Sequence, residues 1–440
     1  MDNNVSKIEE MQYANLPKLI AKYSVFTFCA LFFNELYNIV DTLFVSHGIG
    51  DNAMGGVSII FPFVMIQGAV SQTIGSGAAS IVSRLLGRKE YENAGNVTVN
   101  AMFSFYVTAI VITIIGLIFI NPLLKLFGAT DDIMPYAKEY FTIMLIGNVF
   151  STGFSSLIRA EGKMIYSLLI WLIPTAINIA LDAVFIYGMH MGVKGAAFAT
   201  VISYFSSFVM SVIFFTKISV QKFRCIKIEF KTILDIITIG VPMLLQLGGI
   251  SIIFVFVNKA LATAGGTTSV NTFAYVSKII TFAIVPFNAV ASASSPIISY
   301  NYGTKNRQRV NQCIHYSIIF CEIYSIIAWT VVFLVPEIFI KIFTADNEII
   351  SIGADALKII APALLFAPIV FIIGTYFQAA GKKATALFTN SLVIIFSIIL
   401  IPIFSILMNV SGIYAALTVS FILSGIIALI IKMQKQNQKC

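Results

Sequence analysis

The chain is a succession of long apolar runs, each about the length of one bilayer crossing, parted by short polar or glycine-containing breaks. A hydrocarbon core of about 30 Å is spanned by about 20 apolar residues in a helix. The runs at 16–45, 54–83, 95–120, 136–158, 164–188 and 195–216, then 232–260, 270–299, 312–335, 353–379, 385–408 and 412–431, are expected to form twelve transmembrane helices. A water-soluble core does not absorb 58% apolar residues with only 11% charged, against about 45–50% and 25% in ordinary domains. The expected fold class is therefore an all-α integral membrane protein.

Basic residues set its orientation. With the N-terminus inside, 21 of the 28 Lys and Arg fall on inner segments, among them Arg84, Arg88, Lys89, Arg159, Lys163, Lys305, Arg307, Lys382 and Lys383. By the tendency of Lys and Arg to stay on the cytoplasmic side, both termini are expected in the cytoplasm. The net charge of +8 is thus a matter of topology, and no nucleic-acid partner is expected. The polar start, MDNNVSKIEEMQYANLPK, has no short apolar segment followed by a cleavage site, so no removable signal is expected. Cys29, Cys225, Cys313, Cys321 and Cys440 lack metal or disulfide spacing and are read as packing residues.

The two halves repeat. SGAASIVSRLLGRK from Ser76 aligns with SASSPIISYNYGTK from Ser292, an offset of 216 that also brings Lys125-Leu126-Phe127 onto Lys341-Ile342-Phe343. RAEGK around Glu161 matches QAAGK around Gly381, and VKGAAFATVIS around Gly195 matches VSGIYAALTVS around Gly412. Two pseudo-symmetric six-helix bundles follow, 1–217 and 232–440, joined by a basic linker, 218–231, expected to be a solvated cytoplasmic loop. Repeats of even helix count share one orientation, with the solute path at their interface.

No phosphate-binding loop, H-E-x-x-H, G-x-S-x-G or Cys/His cluster is present. Neither an ATP-driven pump nor an enzyme is expected, and no cofactor; a transmembrane gradient remains as the energy source. Ionisable groups within spans are costly and mark ion or substrate paths. Four acids qualify: Glu35, Asp41, Asp182 and Glu322. Asn34, Tyr37 and Asn38 precede Asp41 by seven, four and three residues, on one helical stripe. Asn178 and Asp182 stand at i and i+4, after Pro174. Such carboxylates with amides nearby suit a proton site, its carboxyl shifted toward neutrality by an apolar setting, or an oxygen cage for Na⁺. Glu322 has His315 seven residues before it as a structural partner. In the second repeat Asp41 falls on Val257 or Asn258, and Asn178 and Asp182 fall near Phe396 and Leu400, so the coupling site is expected in the first half alone.

In their order and spacing, LYNIVDTLFV, SRLLGRKE, RAEGK, NIALDAVFIYGMHMGVKGAAFATVIS, IGVPMLL and SYNYGTKNRQRV resemble the multidrug and toxic compound extrusion (MATE) family over nearly the whole chain. The resemblance implies a V-shaped pair of six-helix bundles. It implies an antiporter of the plasma membrane that exports organic cations or amphipathic drugs in exchange for H⁺ or Na⁺ by alternating access, working as a monomer. The chain looks most like the branch of the DNA-damage-inducible F proteins. By that pattern Asp41 is the coupling carboxylate, with Tyr37, Asn178, Asp182 and Thr200 completing its network and Asp41, Asn178, Asp182 and Thr200 the candidate Na⁺ ligands. The branch with acids in helices seven and ten fits less well, since those spans carry only Asp235 and Asp355, at helix ends. Glu35 departs from the family pattern and is a candidate counter-charge for cationic substrates. The proline often found in the first helix is absent near Val25-Phe26, while Pro242 remains in the seventh.

Two other functions compete. A flippase for a lipid-linked oligosaccharide or cell-wall precursor would share the fold, but would be expected to place more Lys and Arg in its lumen, whereas the clearest mid-span charges here are acidic. A membrane-embedded enzyme lacks any catalytic set. The 38 Phe residues suit a cavity that takes amphipathic cations by apolar burial and cation–π contact.

Overall fold

The computed structural model describes residues 2–49, 56–57, 59–127, 129, 133–151, 154–221, 227–343 and 346–437. Within its helices, the side chains of 2–7, 34–43, 46–47, 61–62, 246–247, 250–251, 267, 270–271 and 436–437 lie outside the description. Among the described residues the regular structure is helical, without strands. A short α1 (Asp2–Tyr13) precedes α2 (Leu16–Gly48), α3 (Phe61–Gly87), α4 (Tyr91–Ile118), α5 (Ile120–Leu126) and α6 (Met134–Gly147). Then come α7 (Phe154–Ala160), α8 (Met164–Asp182), α9 (Val193–Ile213), α10 (Phe230–Gly303), α11 (Arg307–Leu334), α12 (Pro336–Lys341), α13 (Asn347–Ile360), α14 (Ala367–Ala379) and α15 (Lys383–Asn437).

Eight helices among the described residues are long and apolar enough to cross a membrane, nine if the bent pair Asn347–Leu365 and Ala367–Ala379 counts as one span. Two helical runs carry a break inside them, α10 at Gly266 (φ 66°, ψ −161°) and α15 at Asn409 (φ 50°, ψ −133°). The apolar runs expected at 232–260 and 270–299, and at 385–408 and 412–431, therefore lie on separate arms. The outer faces are apolar: on α4, Ile114 is 52% exposed and Ile118 67%, while Thr98 and Asn100 are fully buried. This inversion suits a chain solvated by lipid.

The repeat seen in the sequence is present in the backbone. Left-handed residues fall at matching places: Lys89 with Lys305 (φ 62° and 63°), Gly162 with Gly381 (72° and 71°), and Gly192 with Asn409 (61° and 50°). Positive φ carries little steric cost at Gly, whereas Lys89, Lys305 and Asn409 adopt it with a side chain attached.

Two compact units result. The first comprises residues 1–13 and 25–240, the second 14–24 and 241–440. The first is built around Phe63, Phe141, Tyr140, Met144 and Leu145, with Phe63 and Phe141 edge to face at 4.8 Å. The second is built around Val257, Phe273, Leu357, Ile401 and Tyr414. Within the second, Arg309 Nη2 donates to the carbonyl of Ala14 at 2.6 Å and so holds the turn between α1 and α2. The expectation of a solvated linker is corrected in part: Lys227–Lys231 is exposed, but Val220 and Gln221 are buried, because the polar groups of 219–221 find partners on the first unit.

Candidate functional site

Span five carries the site. Asp182 is the last residue of α8, and the six residues after it, Ala183–Gly188, form a wide π-type turn. The N–H of Met189 reaches Val184 O (2.8 Å) and that of Met191 reaches Phe185 O (2.9 Å). Such widened stretches recur at functional sites. Asn178, one turn before Asp182, lies between that carboxylate and Thr200 on α9, and all three are at most 1% exposed. Asn178 satisfies both neighbours when its amide nitrogen donates to Asp182 Oδ2 (3.0 Å) and its oxygen accepts from the N–H of Thr200 (3.2 Å). The opposite orientation makes only a 3.4 Å contact to the Thr200 hydroxyl and sets the amide oxygen against a carboxylate, so the first is the stable one. A buried carboxylate is tolerated only with such partners.

The far end of α2 packs against the same turn. Phe44 meets Tyr187, Val45 is fully buried, and a Cβ on Gly48 would lie 2.6 Å from Ile186 Cγ2. The side chains of Glu35, Tyr37 and Asp41, with those of Asn34 and Asn38, lie outside the described ones, although all five stand on α2. The structure thus joins Asn178, Asp182 and Thr200 and lays the end of the helix bearing Asp41 on the turn that follows Asp182.

Among the described residues, the second unit has no such buried cluster at the corresponding place. Asp41 aligns with Val257 or with the exposed Asn258, and Thr200 with Leu417; Val257 and Leu417 are buried in an apolar core that Leu400, the counterpart of Asp182, packs against. Asp355 is exposed, 4.0 Å from Lys358. Asp235 is half-buried near the start of α10, within the first unit. Glu322, half-buried on α11, has its Oε1 without a hydrogen-bond partner among the described residues. His315 is exposed and lies against Tyr316 at 6.0 Å rather than forming a described bond to Glu322. Among the described residues, no three of His, Cys, Asp and Glu come together as a metal site.

Two polar features were not found from the sequence. Span four breaks after Gly147 into a tight turn, Asn148–Phe150, and an extended Ser151. There Gln67, Ser71, Thr108, Asn148 and Ser151 line a recess that shares no residue with the Asp182 cluster. The run GNVFSTG at 147–153, polar within an apolar span, is its sequence signal. The second is Glu161, fully buried at the turn before α8; in the sequence it stands in the short polar run RAEGK, which gives no sign of that burial.

Comparison with known proteins places these features in context. The MatE family model matches residues 27–184 and 241–403. The multidrug export protein MepA of Staphylococcus haemolyticus is 26% identical over 391 residues, covering 86% of this chain and 82% of the relative. MepA of Staphylococcus aureus strain MRSA252 is 24% identical over 411 residues, covering 90% and 89%. Among solved structures, an outward-facing multidrug-resistance MATE transporter of the MOP superfamily superposes with a TM-score of 0.89 at 24% identity, over 98% of each chain. A MATE structure in a straight conformation does so with a TM-score of 0.90 at 24% identity, again over 98% of each.

Proposed function

The chain belongs to the MATE family of membrane transporters, and from that premise we infer that it is a multidrug efflux antiporter whose coupling ion is bound in the first unit. It moves a solute across the membrane and is not an enzyme. The substrates are organic cations or amphipathic compounds, in keeping with relatives named for multidrug export. The protein works as a monomer in the plasma membrane, with both termini cytoplasmic.

The observation that carries the reading is the buried Asn178–Asp182–Thr200 cluster set against its apolar counterpart in the second unit. Asp182 and Asp41 alternate between an ionised and an ion-occupied or protonated state. The amide nitrogen of Asn178 holds the Asp182 carboxylate in place, and the carboxylate oxygens, with the Thr200 hydroxyl nearby, suit either H⁺ relay or Na⁺, whose hard-cation preference is for oxygen ligands. One carboxylate occupied at a time couples the inward step of the ion to the outward step of the drug, because a charge carried across 100 mV changes free energy by about 2.3 kcal/mol.

Transport of a fluorescent cation in proteoliposomes, with H⁺ and Na⁺ gradients imposed separately, tests this. Efflux driven by one gradient and lost in Asp182→Asn is expected. Efflux driven by neither gradient rules out antiport.

A further inference from the structure

The linker after span six is bound, and its receptor is a carboxylate. Glu161 Oε1 accepts from the Ser219 hydroxyl (2.5 Å) and from Gln221 Nε2 (2.7 Å), and Oε2 accepts from the N–H of Val220 (3.2 Å). The Gln221 side chain is oriented from its other end, where Thr98 on α4 donates to its Oε1 at 2.5 Å. Further along, Asn100 Nδ2 donates to Lys227 O (2.8 Å), its Oδ1 accepts from the N–H of Glu229 (2.8 Å), and Asn96 Oδ1 accepts from the N–H of Lys227 (3.1 Å). Burial pushes the Glu161 carboxyl up, opposed by Ser219, Gln221, Val220 and the charge of Lys163. Each donor of 219–221 therefore offsets part of a desolvation cost that would otherwise be left whole.

The attachment continues into α10. A Cβ on Gly77 of α3 would stand 2.0 Å from Ile236 O, and one on Gly240 would stand 1.9 Å from Thr73 O. The backbones touch there, and residues up to Gly240 belong to the first unit. In the second repeat Ala380 replaces Glu161 and, at the offset of 216, Ile314 replaces Thr98. The receptor is thus not a feature of the repeat itself.

We propose that Glu161, Thr98, Asn96 and Asn100 form a receptor for the chain's own residues 219–221 and 227–229, fastening both stretches to the first unit as a strap that fixes the start of the seventh span during the transport cycle. Hydrogen exchange of the full-length purified protein reads the strap directly at the amides of Val220 and Gln221. Exchange there is slow in the wild type, at least tenfold faster in Glu161→Gln, and faster to a smaller degree in Thr98→Val, which keeps the carboxylate. The change stays within 218–229, with α8 and α9 unaltered. Equal rates in the wild type and Glu161→Gln overturn the strap, and so does an increase spread over α8 and α9, which marks general loosening. Should Glu161→Gln not fold, an unaltered rate in Thr98→Val overturns it. In proteoliposomes Glu161→Gln lowers turnover of cation efflux several-fold with KM unchanged. Faster exchange with unaltered turnover overturns the strap's part in the cycle. The exchange measurement stands apart from the efflux reading, so failure of one is distinguishable from failure of the other.

Discussion

The ring of Phe44 rests against that of Tyr187, centroids 5.8 Å apart and planes at 59°. Phe44 is three residues beyond Asp41 on α2, and Tyr187 is five beyond Asp182 in the wide turn after α8. One aromatic contact therefore ties the two helices that carry the candidate coupling carboxylates. Aromatic pairs contribute about 0.5–1.5 kcal/mol beyond their buried area. A double-mutant cycle with Phe44→Leu and Tyr187→Leu, read by thermal unfolding, is expected to give a coupling energy in that range. Strict additivity would mean that the pair does not hold the helices together.

Neutralising the acids separates the candidate coupling carboxylates from the others. Asp41→Asn and Asp182→Asn are each expected to reduce ion-driven efflux at least tenfold with expression retained, because both remove a carboxylate from the candidate coupling site. Neutralising Asp355, which is exposed beside Lys358, or Asp235 is expected to leave efflux within about twofold. The reverse pattern would move the coupling site to the other branch's positions.

Glu35 is six residues before Asp41, about 120° around the helix at 100° per residue, so the two carboxylates need not share a proton. As a counter-charge for cationic drugs, it predicts that Glu35→Gln weakens binding of a monovalent cation about tenfold while a neutral ligand keeps its dissociation constant. Equal changes for both ligands exclude that role.

Close backbone approach makes Gly77 intolerant of a side chain. Gly77→Ala must displace Ile236 O, which lies 2.0 Å from the new Cβ, and overpacking of this kind costs about 1–3 kcal/mol. A Cβ on Gly248 meets nothing within 4 Å, so Gly248→Ala is expected to be neutral or stabilising by up to about 1 kcal/mol. Melting temperatures of the two variants in one detergent should move in opposite directions or differ clearly in size.

Topology follows from the basic residues. A reporter fused after Lys432 is expected to read cytoplasmic, and a cysteine placed at Gly50, which lies outside the described residues, should label from outside. Labelling of that cysteine solely from the inner face would overturn the twelve-span reading.

The all-helical membrane character, the repeat and the placing of Asn178 and Asp182 on one helix face were legible in the sequence. Each of these is local or periodic: apolar length sets a crossing, an offset of 216 aligns the halves, and residues at i and i+4 meet on any helix. The sequence also located the asymmetry, since Val257 or Asn258 stands where the first repeat has Asp41, and Phe396 and Leu400 stand near the places of Asn178 and Asp182. Only the tertiary structure decided which polar groups would be buried together. Glu161 is buried against Ser219, Val220 and Gln221, and Asn148 at the break in span four reaches the carbonyl of Ala109 on α4. Gln221 is 60 residues from Glu161 and 123 from Thr98. No periodicity joins them. A hydrogen bond forms where a donor and an acceptor are held within about 3 Å, and helix packing over the whole unit, rather than the neighbourhood of either residue in the chain, sets that distance.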